Sequence, residues 1–183
     1  MATLRGWLVG SAVPAGLEID TELRWTVITR LAALGAVTAE EIDAEYERDR
    51  SALGAAHAAR CRAALPDAAA KAEAWRVIIE DDSLSNRMIA AAAEGFWQSE
   101  QVELTAAYVA RYFEEMPAMT ARRPPMVAQR LASVGYPKFA VTVETLAAAR
   151  AMLARPDLTP GLARSVVDGT DDLERALASR TLA

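Results

Sequence analysis

The chain contains 183 residues, of which 52% are hydrophobic and 25% are charged. This length fits one compact domain or one elongated helical array, and it excludes a second catalytic domain of full size. The formal net charge of -5 argues against a nucleic-acid binder that works by neutralising phosphates, so we predict a single folded domain over residues 1–183 with no nucleic-acid partner.

The N-terminal segment resembles a signal peptide only superficially. Arg5 precedes an apolar stretch, but glycine and proline residues interrupt that stretch, and acidic Glu18 and Asp20 follow it. Nothing in the chain approaches the roughly 18 consecutive apolar residues that a membrane-spanning helix requires. Because a single cysteine is also ordinary for a reducing compartment, we predict a cytoplasmic protein that does not bind membranes.

The abundance of alanine and the lack of long β-branched runs favour helices throughout. The first predicted helix spans residues 21–34, with an N-cap at Asp20 or Thr21 and a left-handed C-cap at Gly35. The second begins at Thr38, where Thr38-x-x-Glu41 is a capping box. The short connection between the two predicts an αα-hairpin.

Seven more helices are predicted after Gly54. Their approximate bounds are 55–65, 67–79, 85–96 with an N-cap at Ser83 or Ser85, 100–116 ending before Pro117, 124–134, 142–155 and 161–180. Consecutive helices with short connections lie antiparallel, and the chain has no long crossover that would close a bundle. We therefore predict an all-α fold, a right-handed α-superhelix of stacked antiparallel helix pairs with eight or nine helices in total.

One histidine and one cysteine restrict the chemistry that the chain can perform alone. A zinc-protease HExxH motif, a three-histidine zinc site and a di-iron Glu-x-x-His pair each need more histidines than the sequence provides. We therefore predict no catalytic residue, no metal ligand and no bound cofactor in this chain.

His57 and Cys61 lie four residues apart and would share one face of a helix, as half of a metal site or a Cys-His dyad. A zinc site would need two further ligands, such as Glu47 or Asp49, and a cysteine nucleophile would need an oxyanion hole. The alternative interpretation, which we favour, is a partly buried thiol near a surface histidine.

Three other groups of residues have both a functional and a structural interpretation. The acidic run 80–82 could hold a cation, although an exposed turn at a helix end is the simpler interpretation. Arg122 and Arg123 could bind a carboxylate or lie in a solvated loop. Five aromatic residues at helical spacing are typical of a core: Phe96, Trp97, Tyr108, Tyr112 and Phe113.

Several stretches, in this order and spacing, resemble the C-terminal helical domain of the aminopeptidase N family of zinc metallopeptidases, in its actinobacterial form. The resemblance covers nearly the whole chain and none of its stretches is a catalytic motif. They are GLEIDTELRW (16–25) with the following RLAALG, EEIDAEYERDR (40–50), AKAEAW (70–75), YVARYFEEMP (108–117) and GLARSVVDGTDDLERAL (161–177).

The resemblance implies a C-terminal accessory domain that caps the active-site cleft and limits peptide access. In that family an upstream domain binds zinc, holds the substrate amino terminus and performs the chemistry, and none of its motifs occurs here. The implied partners are therefore the upstream catalytic domain of the same polypeptide and peptide substrates. No family active-site residue can be placed on this sequence, and its substrate-binding residues are unknown.

Two alternative functions remain possible, and the N-terminal segment allows a prediction about assembly. The chain could be a stand-alone helical-repeat scaffold that binds another protein, or an independent enzyme built on His57 and Cys61. The family's additional preceding helices imply that this chain is a C-terminal fragment, which would uncover an N-terminal apolar cluster. We expect that cluster either to fold back over Val27 and Leu31 or to form a homodimer with a second copy; its members are Leu4, Trp7, Leu8 and Val9.

Overall fold

The computed structural model describes residues 1–11 and 13–181, and this part of the chain is all-α, with no strand. It contains ten α-helices and one short 3-10 helix, Ser99–Gln101. The helices are α1 (Ala2–Leu8), α2 (Thr21–Ala33), α3 (Ala39–Arg48), α4 (Ala52–Ala64), α5 (Ala68–Ile79), α6 (Asn86–Phe96), α7 (Val102–Ala121), α8 (Pro125–Val134), α9 (Val143–Leu153) and α10 (Pro160–Thr181).

The helices form two stacked layers. Helices α2, α4, α6, α8 and α10 pack on one another in that order, and we call them the even layer. Helices α5, α7 and α9 pack side by side behind it, while α3 packs against α4. This arrangement confirms the predicted superhelical stack of helix pairs. No helix within the described ranges is both long enough and apolar enough to cross a bilayer.

Local capping chemistry sets most of the helix ends. Asp20 accepts a hydrogen bond from the backbone N–H of Leu23, and Thr38 and Glu41 form the predicted capping box. Gly35 has a φ of +66°, and the backbone N–H groups of Gly35 and Ala36 close the end of α2. The capping box and the left-handed stop are therefore where they were expected, but α3 packs closely on α4 and not on α2, so the two helices do not form the predicted αα-hairpin as a closely packed pair.

Two predicted boundaries are wrong, and one helix was not predicted. Helix α4 begins at Ala52, so Gly54 lies in its first turn and does not separate elements. Helix α7 continues through Pro117 to Ala121, because Met116 and Met119 are fully buried and their packing outweighs the backbone hydrogen bond that proline cannot donate. Helix α1, at residues 2–8, lies in a segment for which no helix was predicted, and it brings the number of α-helices in the described residues to ten.

Two groups of buried residues form the core. The smaller lies among α2, α3 and α4 around Trp25, Leu31 and Ile42, and the larger extends from the end of α4 to α10 around Trp75 and Met116. The predicted aromatic core is confirmed: four of the five residues are buried, while Tyr108 packs partly exposed against the larger cluster.

Helix α1 folds back onto the smaller core cluster. Leu4, Trp7 and Leu8 pack against that cluster, which contains Val27 and Leu31, whereas Val9 stays 78% exposed. Arg24 holds this arrangement, since its Nη1 donates to the carbonyl oxygen of Leu8 at 2.9 Å while its other nitrogens pair with Glu45. The first of the two alternatives for the N-terminal cluster is therefore the one observed, and pairing with a second copy stays a prediction.

Two buried polar side chains tie together the C-terminal ends of even-layer helices. Lys71 Nζ donates to the carbonyl oxygens of Ala63 and Phe96, both at 2.7 Å, and so connects α4 to α6. Gln101 Nε2 donates in the same way to Ala33 at 2.7 Å and Ala64 at 2.8 Å, and so connects α2 to α4. Burial lowers the pKa of Lys71 from 10.5 to about 8.

Candidate functional site

A groove with a volume of about 500 Å³ lies among α4, α6 and α8 of the even layer, and we call it the central groove. Its floor consists of small side chains that let the helices approach closely, including Ala56, Ala90 and Ala91, which are all buried. At Gly95 a Cβ atom would lie only 2.2 Å from the carbonyl oxygen of Arg60. The groove is a depression in the surface because α4 and α6 carry only small side chains where they touch.

The central groove carries more positive than negative charge. Three arginines and one glutamate line it, which gives 3 - 1 = +2 in a chain whose net charge is -5. Arg60 and Arg130 both pair with Glu94, with 2.7 Å between Arg130 Nη2 and Glu94 Oε1. Burial alone would raise the pKa of Glu94, but the hydrogen bond from Arg130 and the charge of Arg60 lower it overall.

Arg87 differs from the other two arginines of the groove. It lies in the first turn of α6 with an exposed side chain, and that side chain forms no ion pair or hydrogen bond within residues 1–11 and 13–181. Two exposed apolar side chains also line the groove, Leu53 at 44% and Met126 at 86% exposure. The groove therefore combines an unpaired cation with apolar surface.

The structure does not join His57 and Cys61 into a site. His57 stacks on Trp25 with ring centroids 5.6 Å apart, and its Nε2 lies 3.4 Å from Glu22 Oε2. The sulfur of Cys61 lies 3.2 Å from Thr29 Oγ1 instead. The expectation of a partly buried thiol near a surface histidine is wrong in its burial, since Cys61 is fully buried and His57 is only 9% exposed.

The two suggested further zinc ligands do not complete a metal site. The Asp49 carboxylate accepts a hydrogen bond from Trp25 Nε1 at 2.9 Å, and Glu47 pairs with Arg50. Across the described residues there is no group of three or more histidine, cysteine, aspartate or glutamate side chains that could hold a metal ion.

We predict that Cys61 reacts slowly with thiol reagents in the folded protein. Burial raises the pKa of its thiol from 9.0 to about 11, which lowers the thiolate fraction about 100-fold at pH 8. Alkylation by iodoacetamide, followed by mass spectrometry, should therefore be at least about 100-fold slower than for a short peptide with the sequence around Cys61. The urea-unfolded chain is the control and should match the peptide; equal rates for the folded chain would contradict the buried position.

The acidic run 80–82 and the arginine pair bind each other. Asp82 pairs with both Arg122 and Arg123, and the Arg123 side chain is only 7% exposed. Asp81 accepts hydrogen bonds from Ser83 and from the backbone of the following turn. The exposed turn expected at 80–82 is therefore observed, with Glu80 and Asp82 exposed, whereas the expectation of a solvated loop is wrong for Arg123. Together the two motifs join the end of α5 to the end of α7.

Sequence reasoning missed the central groove because its arginines come from three helices. Arg60, Arg87 and Arg130 form no motif along the chain, and only the stacking of α4, α6 and α8 brings them together. The sequence signal that could have suggested them is an arginine within an alanine-rich helix, such as Arg60 in α4.

Comparison with known proteins agrees with this architecture. The family model described as the ERAP1-like C-terminal domain matches residues 1–175. Aminopeptidase N from Streptomyces lividans is 44% identical over 173 residues, which cover 94% of this chain and 20% of that protein. The chain thus spans about a fifth of the length of this relative, and it corresponds to the C-terminal part of an aminopeptidase N-like protein. The chain belongs to the ERAP1-like C-terminal domain family.

Proposed function

We propose that this chain is the C-terminal cap of a zinc-dependent aminopeptidase in the cytoplasm, where it covers the active-site cleft and limits which peptides enter. The observation that supports this most is the 44% identity to a protein named Aminopeptidase N, of which the chain matches only a fifth. A domain that is one part of a larger peptidase can act on substrates without carrying the reacting groups.

The composition of the chain fits a supporting role. Its single histidine, His57, stacks against Trp25, while the sulfur of Cys61 lies against Thr29 Oγ1, so the possibility of an enzyme built on those two residues loses its geometric basis. Zinc, which lowers the pKa of a bound water in such peptidases, would be held by residues outside this chain. The central groove on the even layer could contact peptides that extend from the catalytic cleft.

The first test uses the chain alone. We expect no hydrolysis of chromogenic alanyl and leucyl amides in added zinc, because one histidine cannot assemble the usual three protein ligands of a catalytic zinc. Turnover that persists through further purification and disappears with a chelator would contradict the proposal.

The second test asks whether the chain limits access. A chimera of the Streptomyces lividans protein would carry this chain in place of its own matching segment, with and without Met126→Trp in the exposed wall of the groove. We expect the substitution to lower kcat/KM for peptides of ten residues by roughly threefold and to leave aminoacyl amides unchanged, since only long substrates reach the groove. Equal effects on both substrates would contradict the capping role.

A stand-alone scaffold is the alternative function. The exposed side chains of Leu53 and Met126 in the groove favour a scaffold function, because exposed apolar surface is typical of protein-binding sites. A chimera that is inactive because this chain does not assemble with the rest of the enzyme would support that alternative.

A further inference from the structure

We infer that the central groove selects peptides that carry an aspartate or glutamate side chain next to an apolar residue. The inference depends on the proposed function, because it takes a peptide as the occupant of the groove. Three features of the groove lead to it: its charge, its apolar wall and the position of Arg87.

The charge of the groove favours an acidic occupant. Glu94 already binds Arg60 and Arg130, so those two cations are largely satisfied within the protein. Arg87 has no such partner among the described residues, and it lies near the positive N-terminal end of the α6 dipole. A carboxylate beside Arg87 would interact favourably with both the guanidinium and the helix end.

The apolar wall gives the occupant a second requirement. Leu53 is 44% and Met126 is 86% exposed, and both side chains line the same groove as Arg87. Covering them would remove apolar surface from water, and methionine adapts readily to different apolar partners. The matching ligand has an apolar side chain close to its carboxylate.

The layout of the groove favours a side-chain carboxylate over a terminal one. Arg87 and Glu94 are seven residues apart on α6, which corresponds to about 10 Å along the helix axis. An extended peptide covers that distance with about three residues. A peptide that runs along α6 can therefore place an internal carboxylate at Arg87 and continue past Glu94, which Arg60 and Arg130 already bind.

The test measures binding to the chain itself, by fluorescence polarisation of labelled peptides. One peptide carries Leu-Glu in a Gly/Ser background with both ends blocked, the second has Leu-Gln in its place, and the third has Leu-Gln with a free C-terminal carboxylate. We expect the Leu-Glu peptide to bind roughly two- to fivefold more tightly than blocked Leu-Gln, the range of one exposed ion pair, with the advantage shrinking at high salt.

Two variants locate the effect in the groove. Arg87→Gln should remove the preference for Leu-Glu, whereas Arg164→Gln, on the exposed surface of α10, should leave it unchanged. Met126→Glu adds a repulsive charge at an exposed position and should weaken Leu-Glu binding more than Leu-Gln binding. Melting curves of each variant show whether it is folded.

Equal binding of the two blocked peptides, tighter binding of the free-carboxylate peptide, or a preference that survives Arg87→Gln would each overturn the inference. None of these results depends on catalysis. If one of these binding results occurs while Met126→Trp still lowers the activity of the chimera on long peptides alone, only the acidic preference fails. If Met126→Trp also affects long peptides and aminoacyl amides equally, the capping function fails as well.

Discussion

Replacing Gly95 with alanine should destabilise the domain by roughly 2 kcal/mol, even though alanine is the better helix former. The added Cβ would lie 2.2 Å from the backbone carbonyl oxygen of Arg60, and it would also approach the Ala63 side chain at 3.1 Å. A backbone oxygen cannot rotate away, so α4 and α6 must move apart where they touch most closely.

Urea unfolding followed by circular dichroism measures this effect. Arg87→Ala is the matched control, because it introduces the same residue into α6 at an exposed position whose side chain has no partner among the described residues, and it should change the free energy of unfolding by less than about 0.5 kcal/mol. A Gly95→Ala variant that is as stable as the original protein would show that the close approach of α4 and α6 is not required.

The stability of the protein should rise with pH between about 8 and 10.5 relative to that of a Lys71→Met variant. In this interval the unfolded chain keeps the Lys71 proton, with the usual pKa of 10.5, while the folded protein, with a pKa of about 8, has released it. Because the unfolded state binds more protons, raising the pH favours the folded state. The whole difference corresponds to about 3 kcal/mol.

Denaturation with urea at a series of pH values gives both curves, and methionine matches lysine in length without titrating. The other lysine, Lys138, is exposed, so Lys138→Met provides a control whose curve should run parallel to that of the original protein. If the Lys71→Met curve also ran parallel, the amine would not be held in the buried position between Ala63 and Phe96.

The helices were predictable because their signals are local. Thr38 with Glu41 and Gly35 act through the backbone within a few residues, so the sequence contains their whole physical cause. Pro117 illustrates the limit: its local effect is to end a helix, but the burial of Met116 and Met119 by distant helices prevails. Local rules fail where tertiary packing supplies more free energy than the cap or break.

The central groove and the helix-end ties were not predictable for a related reason. Arg87 and Met126 become neighbours only after α6 and α8 have stacked, and no spacing along the chain encodes that register. No sequence pattern distinguishes Lys71 in its alanine-rich helix, and only the two carbonyl groups that accept hydrogen bonds from its Nζ explain why a lysine can be buried there.

The side chain of Gln101 has a consequence for how the domain folds and frays. Most contacts in a helical stack join neighbouring helices, which allows one end to unravel while the rest persists. Gln101, just before α7, bonds to the carbonyl of Ala33, 68 residues earlier, and to that of Ala64. The end of α2 is therefore completed only after the chain has reached α7. During synthesis these hydrogen bonds can form only once residue 101 has been added to the chain. In the folded protein, α2 cannot separate from α4 at its C-terminal end without breaking the buried hydrogen bonds of Gln101.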